Sequence, residues 1–240
     1  MLGLITGSGF DGLSDLDGAS TDLVHTPFGE VPVTSGRLDD IPVIVLKRHG
    51  AGHAIAPHRI DYRANVRAMH EVGATSVVAT AVSGAIDPDL PLGALVLIDQ
   101  FIDATHGRHD TYFDDEVRHT DMTDPYDPDL RQVLREAAAG AEVDLVDGGT
   151  YVCTNGPRFE TPAEIRMYRN AGATLVGMTG YPEVALAREL DLPYASIGVV
   201  SNAAAGNNDE PLGLDDIRAV MADTGEPVRR LLAATAARLG

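Results

Sequence analysis

The sequence predicts an α/β fold in which helices cover a largely parallel or mixed sheet. Short apolar runs bounded by Gly, Pro and polar residues recur along the 240 residues, and segments with helical apolar spacing lie between them. Pro and Gly are scattered along the chain and nowhere form a linker. We therefore predict one domain over residues 1–240, since a chain of this length can bury a core of its own.

Predicted strands and helices account for most of the chain. Strands are predicted at residues 1–6, 31–34, 41–46, 76–80, 94–98, 143–146, 150–153, 174–178 and 193–202. Helices are predicted at residues 57–71, 129–140, 182–190 and 214–239, and a further helix begins at Pro162, where Thr161 can cap it. Residues 11–20 are acidic and make a poor helix, and residues 100–128 are predicted to be irregular.

Charge and composition exclude several kinds of partner. The formal net charge is −18, and nucleic acid and anionic membranes both repel so acidic a surface. No apolar run approaches the length of a membrane span, and residues 1–5 lack the basic flank of a signal peptide. The single cysteine, Cys153, cannot form an internal disulfide. We expect a cytoplasmic protein, because the cytoplasm keeps thiols reduced.

The kind of charge also indicates a habitat. Lys47 is the only lysine among the 18 basic residues. Concentrated salt permits an acidic, lysine-poor surface, because screening removes the repulsion between its like charges. We therefore expect a salt-adapted, halophilic protein.

Polar residues follow four of the predicted strands, at the edge where open α/β sheets bind ligands. Ser8 lies between glycines and can offer its hydroxyl and backbone N–H groups to an oxyanion. Arg48 can bind phosphate through two hydrogen bonds, and His49 adds a donor whose charge can follow that of the anion. The other two strand ends are Thr80-Ala81 and Met178-Thr179. The hydroxyls, the arginine and the histidine together predict a cradle for a small phosphate.

Three other kinds of site fit the sequence less well. Gly7, Gly9 and Gly12 match the dinucleotide-binding pattern G-x-G-x-x-G, but a poor helix follows and no acidic residue ends the second strand. The histidines at positions 49, 53, 58, 106 and 109 have no matching carboxylate or cysteine set, so no metal is predicted. The sequence has no G-x-S-x-G motif, the turn that carries the nucleophile of a Ser/His/Asp triad in one large class of hydrolases, so a triad is not predicted.

Asn202 is the least expected residue at a strand end. It closes the largely buried run 193–201 and precedes the small residues Ala203 to Gly206. An amide that emerges from so apolar a strand needs a hydrogen-bond partner, which a ligand can supply. An ordinary turn residue is the alternative.

Six motifs give the chain a resemblance to a known family. They are Gly7-Ser8-Gly9, Thr26-Pro27-Phe28-Gly29, Arg48-His49-Gly50, Asn155-Gly156-Pro157-Arg158-Phe159-Glu160-Thr161, Gly177-Met178-Thr179 and Pro182-Glu183-Val184. In this order, over essentially the whole chain, they resemble the trimeric purine nucleoside phosphorylase and methylthioadenosine phosphorylase family. The resemblance implies a three-layer α/β/α fold with a central mixed sheet, and a homotrimer or a dimer of trimers. It also implies phosphorolysis, in which inorganic phosphate displaces the purine from C1′ of a nucleoside.

The resemblance also implies roles for individual residues. Those that would hold phosphate are Ser8, Arg48, His49, Thr80, Ala81 and Thr179. Met178 would lie against the ribose and Phe159 near the sugar or the base. His119 falls near where methylthioadenosine phosphorylases let a neighbouring subunit close the site. The implied reactants are a purine nucleoside and phosphate, with no cofactor and no metal.

Two residues indicate a 6-oxopurine base. Methylthioadenosine phosphorylases resemble one another in carrying an Asp, and a second Asp two residues later, where this chain has Asn202 and Ala204. An amide can donate to O6 through its NH₂ group and accept from N7–H through its carbonyl. Glu160 resembles the Glu with which 6-oxopurine phosphorylases accept from N1–H. Asn202, Glu160 and His49 are therefore the predicted catalytic residues.

The 5′ end of the substrate is predicted to be apolar. No histidine follows Asn202, whereas 6-oxopurine phosphorylases that use inosine typically place one near the 5′-hydroxyl. Leu212, Leu214 and Ile217 instead suit a methylthio group, and Ala203-Ala204 adjoins the predicted substrate site. S-methyl-5′-thioinosine is the predicted substrate, with inosine or guanosine second and methylthioadenosine third. A non-catalytic nucleoside-binding protein is the alternative of a different class.

Overall fold

The computed structural model describes residues 1–10, 15–208 and 213–240, and of residues 214–216 the backbone only. Along these residues, runs of one to four strands alternate with single α-helices. The strands are β1 Leu2–Thr6, β2 Asp17–Thr26, β3 Gly29–Leu38, β4 Ile41–Lys47, β5 Ser76–Ala85, β6 Leu95–Leu97, β7 Gln100–Ala104, β8 Val146–Asp147, β9 Thr150–Thr154, β10 Leu175–Gly177 and β11 Tyr194–Ala203. The α-helices are α1 Tyr62–Glu71, α2 Pro128–Gly140, α3 Pro162–Asn170, α4 Glu183–Glu189 and α5 Leu214–Leu239.

The strands form one mixed sheet. Its main path runs β2-β3-β4-β1-β5-β10-β9-β7, and β11 pairs with β5 on one side and β6 on the other. Strands β4, β1, β5 and β11 are mutually parallel, whereas β10 runs antiparallel to β5. The parallel strands place their carboxyl ends at one edge of the sheet, which is the edge where such sheets bind ligands.

Helices cover both faces of this sheet. One face forms an apolar core with α1 and α4, to which Met69 and Leu186 contribute. The other packs against α2 and α5 through residues such as Leu134 and Leu231. The predicted three-layer α/β/α fold with a mixed central sheet is therefore confirmed. Among the residues that the structure describes, no helix is both long and apolar enough to cross a bilayer.

Strand β2 was not predicted, and it lies partly within the segment read as a poor helix. It begins at Asp17 and pairs with β3 in a hairpin. Nearly all of its side chains are exposed, so it lacks the alternation of apolar and polar residues by which a half-buried strand is recognised. Gly12 of the dinucleotide-like pattern lies outside the described residues.

Other elements also differ from the sequence prediction: β7 occupies the first residues of the segment 100–128 that was predicted to be irregular, and several strand and helix bounds are shifted. The strand predicted at residues 76–80 continues to Ala85, because its second half stays paired with β11 and β10. The small and polar residues in its second half belong to the strand, where residues 82–84 line the ligand-binding edge of the sheet. The helix predicted from residue 57 begins at Tyr62, after a separate 3₁₀ turn at Pro57–Arg59. Helix α3 begins at Pro162 as predicted, with Thr161 and Glu164 in a capping box.

Candidate active site

A cavity lies where β1, β4, β5, β10 and β11 end together. The loop after β9 covers one side of it, and Ile217 of α5 contributes to its wall. Many of the predicted site residues line this cavity. They are Ser8, Arg48, His49, Phe159, Glu160, Met178, Thr179, Asn202 and Ala204. Residues far apart in sequence thus converge, as the polar strand ends predict.

Other predicted site residues do not line the cavity. Thr80 and Ala81 are buried inside β5, behind its wall, and their contact with phosphate stays a prediction. Ala203 lies at a separate depression beside Ala85. His119 is exposed and does not line the cavity of its own chain. Leu214 is the first residue of α5, and its side chain, like all of Leu212, lies outside the described residues.

Arg48 is held by a buried ion pair. Its Nε and Nη2 atoms donate to the two carboxylate oxygens of Glu183, each at 2.8 Å, and Nη1 donates to the carbonyl of Thr80 at 2.8 Å. Burial alone would lower the pKa of Arg48, but the Glu183 carboxylate outweighs it and raises the pKa. The guanidinium therefore remains charged and fixed, with unused N–H capacity on Nη1 and Nη2. Glu183 in turn accepts from Tyr194 Oη at 2.6 Å.

His49 is neutral in this site. Its Nδ1 lies 2.8 Å from the carbonyl oxygen of Ile55, and because a carbonyl only accepts, Nδ1 carries the proton. Burial, with the nearby charge of Arg48, lowers the pKa of His49 to about 4. Nε2 is then the nitrogen whose lone pair a ligand can use. The sequence predicts a donor here, whereas the tautomer makes His49 an acceptor until a proton is added.

His53 is a site residue that sequence reasoning considered only for a metal. Its ring lies against that of His49 at a tilt of 31°, with centroids 4.0 Å apart, and its Nε2 lies 3.2 Å from Ser8 Oγ. The intervening Gly50 and Gly52 have φ of 71° and 63°, which lets this short segment turn back on itself. Within the described residues, no group of three or more His, Cys, Asp or Glu side chains is arranged to hold a metal.

Two buried hydroxyls brace the phosphate side. Thr80 Oγ1 accepts from the backbone N–H of Gly7 at 3.3 Å, which ties the end of β1 to β5. The phenol of Tyr151 accepts from the backbone N–H of Thr179 at 3.2 Å. The loops that carry Ser8 and Thr179 are therefore fixed from behind.

Asn202 sits next to a β-bulge. The pairing of β11 with β5 passes from Val200 to Asn202, so Ser201 is the extra residue and Asn202 faces the cavity. Its Nδ2 donates to the Ala203 carbonyl at 2.9 Å, and its Oδ1 accepts from Ser201 Oγ at 2.8 Å. Gly84 permits this close approach, because a Cβ there would lie 3.1 Å from Nδ2. One N–H of the amide and one lone pair of its oxygen remain for a ligand.

Glu160 enters from the loop that leads into α3. Thr154 Oγ1, at the end of β9, donates to its Oε1 at 2.6 Å. The capping box of α3 begins at the next residue, Thr161, and fixes where this loop ends. Glu160 and Asn202 thus stand in the same cavity wall, one as a carboxylate and the other as an amide.

Arg108 fastens the loops beneath the site, and sequence reasoning missed it. Its guanidinium donates to the carbonyls of Thr154, Asn155, Met178 and Tyr181. These carbonyls lie at the last residue of β9 and in the loops that follow β9 and β10. The segment 100–128 gives no periodic signal around Arg108, so only the fold reveals this role. Glu183 had a weak signal, because it directly precedes the apolar run 184–187 of the predicted helix, and a buried carboxylate needs a partner.

Comparison with known proteins identifies the class to which this fold and site belong. A family model described as the phosphorylase superfamily matches residues 2–237. The chain is 43% identical over 221 residues to the 6-oxopurine nucleoside phosphorylase of Pyrococcus furiosus, covering 89% of this chain and 83% of that protein. The chain belongs to the phosphorylase superfamily.

Relatives with different named substrates are about equally similar. A protein of Methanopyrus kandleri named "Probable S-methyl-5′-thioinosine phosphorylase" is 45% identical over 218 residues, covering 90% of this chain and 84% of that protein. Among solved structures, the methylthioadenosine phosphorylase of Schistosoma mansoni in complex with adenine superposes with a TM-score of 0.95 at 33% identity, covering all of this chain and 91% of that one. The family resemblance predicted from the motifs is confirmed.

Proposed function

We propose that this protein cleaves the N-glycosidic bond of a 6-oxopurine nucleoside with inorganic phosphate, in purine salvage. The products are the free base and a ribose 1-phosphate derivative. One observation carries the proposal: a single cavity combines oxyanion-binding groups around Arg48 with a carboxylate and an amide, Glu160 and Asn202, that complement a 6-oxopurine.

The phosphate side meets the main electrostatic need of the reaction. The sugar passes through an oxocarbenium-like state, so a phosphate oxygen must be held close to C1′ as positive charge develops there. Ser8, Thr179 and the remaining N–H groups of Arg48 donate to phosphate, and His49 Nε2 accepts its proton. Donors that are fixed in advance stabilise such charge without reorganising. The bonds from Glu183, Tyr151 and His53 supply that fixation.

The base side stabilises the departing purine. Glu160 accepts from N1–H, and the free N–H of Asn202 donates to O6. The amide oxygen of Asn202 accepts from N7–H once the departing base has taken a proton from solvent at N7. Each preorganised hydrogen bond to a developing charge is worth about 3 kcal/mol of barrier. The name of the Pyrococcus furiosus relative, a 6-oxopurine nucleoside phosphorylase, supports the same base.

The 5′ substituent is proposed to be a methylthio group, so that the substrate is S-methyl-5′-thioinosine and the product 5-methylthioribose 1-phosphate. Ile217 and Met178 give that part of the wall an apolar character, and no histidine follows Asn202 in the sequence. The named Methanopyrus kandleri relative supports this choice. Inosine or guanosine is the second candidate, because the Pyrococcus furiosus relative supports it equally.

Assembly and location belong to the same proposal. We infer a homotrimer or a dimer of trimers, in which the exposed His119 of one subunit closes the site of the next. A molecular mass of three or six chains by light scattering is the expected result, and a monomer would contradict it. The single buried thiol and the lysine-poor acidic surface support a salt-adapted cytoplasm.

Phosphate dependence is the direct test of the reaction. Purified protein is given S-methyl-5′-thioinosine with and without phosphate, and released hypoxanthine is measured. We expect release only with phosphate, together with a stoichiometric sugar phosphate. Release without phosphate would indicate a hydrolase, and binding without release would indicate a non-catalytic nucleoside-binding protein. Arg48→Met serves as the control, because it removes the guanidinium and keeps an unbranched side chain.

A further inference from the structure

Both side chains proposed to read the base accept a hydrogen bond from a buried hydroxyl. Thr154 Oγ1 donates to Glu160 Oε1 at 2.6 Å, and Ser201 Oγ donates to Asn202 Oδ1 at 2.8 Å. Thr154 is 8% exposed and does not line the cavity, so its hydroxyl stands behind Glu160 on β9. Ser201 is 2% exposed and lines the cavity beside Asn202, at the bulge of β11.

Each hydroxyl has a second acceptor, which lies farther away. Thr154 Oγ1 is 3.4 Å from the carbonyl of Gly177, and Ser201 Oγ is 3.3 Å from the carbonyl of Ser83. A hydroxyl carries one proton, and O–H···O bonds are normally 2.5–3.0 Å long. Both protons are thus directed toward Glu160 and Asn202. The carbonyl of Ser83 is the acceptor to which the Ser201 proton would turn if the amide of Asn202 turned over.

These bonds determine which hydrogen-bonding groups Glu160 and Asn202 present to the cavity. The bond that Glu160 accepts from Thr154 at Oε1 is stronger when the carboxyl is ionised than when it is protonated, so it favours the form that presents lone pairs to the cavity. The amide of Asn202 cannot turn over, because its oxygen would then face the carbonyl of Ala203, which now accepts from Nδ2 at 2.9 Å. The wall consequently offers an acceptor from Glu160 and an N–H from Asn202.

A 6-aminopurine requires the opposite arrangement. Its N1 carries a lone pair and needs a donor, and its amino group needs an acceptor. To bind it, Glu160 would have to carry a proton and Asn202 would have to turn over. The first change weakens the bond from Thr154, because a hydroxyl donates more strongly to a carboxylate than to a carboxylic acid. The second brings the Asn202 oxygen against the carbonyl oxygen of Ala203 and leaves the Ser201 proton only the more distant carbonyl of Ser83. A site left with unpaired buried polar groups rejects its ligand strongly.

We propose that Thr154 and Ser201 are positioning residues that set the preference of this site for 6-oxopurine over 6-aminopurine nucleosides. The proposal rests on the proposed function. Neither residue needs to touch the substrate, because each acts through the side chain to which it donates.

The experiment compares two substrates that differ only at C6 of the base, methylthioinosine and methylthioadenosine, in the full-length protein with phosphate. Thr154→Val keeps the shape of the side chain and removes the hydroxyl. We expect the ratio of kcat/KM for methylthioinosine to that for methylthioadenosine to fall at least about tenfold, while the KM for phosphate stays within about twofold. Thr154→Ser restores the hydroxyl and should restore the ratio.

A matched control separates selectivity from stability. Thr174 Oγ1 also donates to a backbone carbonyl, that of Thr150 at 3.2 Å, and does not line the cavity. Thr174→Val should lower the melting temperature without changing the substrate ratio. An unchanged ratio in a folded Thr154→Val protein would overturn the proposal.

Ser201→Ala keeps the test decisive if Thr154→Val does not fold. A lowered ratio in Ser201→Ala supports the proposal, and a wild-type ratio overturns it. Failure of the underlying function looks different, since the wild-type protein would then release no base from either substrate with phosphate.

Discussion

Arg48 and Glu183 face one another through two parallel hydrogen bonds of 2.8 Å, between side chains that are 1% and 0% exposed. The pair joins the end of β4 to the start of α4. Tyr194 adds a third bond to the carboxylate at 2.6 Å. The arginine of the proposed phosphate site is thus oriented before phosphate arrives, and part of its charge is already balanced.

Glu183→Ala should destabilise the fold by about 3–5 kcal/mol, because it leaves a buried guanidinium without its partner. Urea unfolding followed by circular dichroism measures this loss. Glu183→Gln keeps the shape and one acceptor oxygen, so a smaller loss is expected. A loss below about 1 kcal/mol in Glu183→Ala would show that the pair is not held as described.

Phosphate binding should weaken as the pH rises. The pKa of His49, lowered to about 4 by burial, leaves the ring neutral from about pH 5 upward, with Nε2 as an acceptor. Phosphate therefore binds best as the monoanion H₂PO₄⁻. Its additional proton either stays on phosphate or moves to Nε2 of His49. Above the second pKa of phosphate, its KM should therefore rise about tenfold per pH unit.

The control for this pH dependence is His49→Gln, whose amide donates without titrating. Its KM for phosphate should be higher at pH 7 and nearly flat between about pH 7 and pH 9. A wild-type KM that does not change over this range would contradict the neutral tautomer. The measurement is initial-rate kinetics at saturating nucleoside.

Asn202→Asp should move the preference toward 6-aminopurines. The carboxylate can accept from a 6-amino group but has no N–H for O6, and it loses the bond to Ala203. We expect the ratio of kcat/KM for methylthioinosine to that for methylthioadenosine to fall at least about tenfold, which is about 1.4 kcal/mol. Unchanged selectivity in a folded Asn202→Asp protein would refute the role of the amide.

Glu160→Gln should slow 6-oxopurine turnover without weakening phosphate binding. Its amide can present an N–H where N1–H needs an acceptor, and the loss should be about 10²–10³-fold in kcat. The KM for phosphate should stay within about twofold, because Glu160 belongs to the base side of the cavity. A rise in phosphate KM equal to the loss in kcat would contradict this separation.

Salt should stabilise the folded chain. The net charge of −18 means that the surplus negative side chains repel one another. Between about 0.1 M and about 1 M salt, the Debye length over which they do so falls from about 10 Å to about 3 Å. The melting temperature should rise over that range in potassium chloride, which scanning calorimetry measures. A maximum in dilute buffer would contradict salt adaptation.

The fold and much of the cavity wall could be predicted from the sequence, because buried strands and their polar ends leave local signals. Ser8, His49, Thr179 and Asn202 were all predicted from their positions after apolar runs, and all line one cavity. Strand β2 could not be predicted, because an exposed hairpin strand buries too few side chains to leave a pattern.

The residues that hold the cavity-lining side chains and loops in place could not be predicted, because their partners lie far away along the chain. Arg108 bonds to carbonyls 46 to 73 residues away, and Arg48 reaches Glu183 across 135 residues. Thr154 resembles any strand threonine until the loop after β9 folds back and brings Glu160 to it. Sequence patterns mark which residues meet a ligand edge, whereas the bonds behind that edge depend on the fold.

The most direct test of the central claim is the kcat/KM of the wild-type protein, with phosphate, for methylthioinosine, methylthioadenosine, inosine, guanosine and adenosine measured side by side. We predict that the kcat/KM of methylthioinosine exceeds that of methylthioadenosine, and that of inosine exceeds that of adenosine, at least about a hundredfold, and that methylthioinosine is the best substrate. Faster phosphorolysis of methylthioadenosine or adenosine than of their 6-oxo counterparts would contradict the assignment of Glu160 and Asn202.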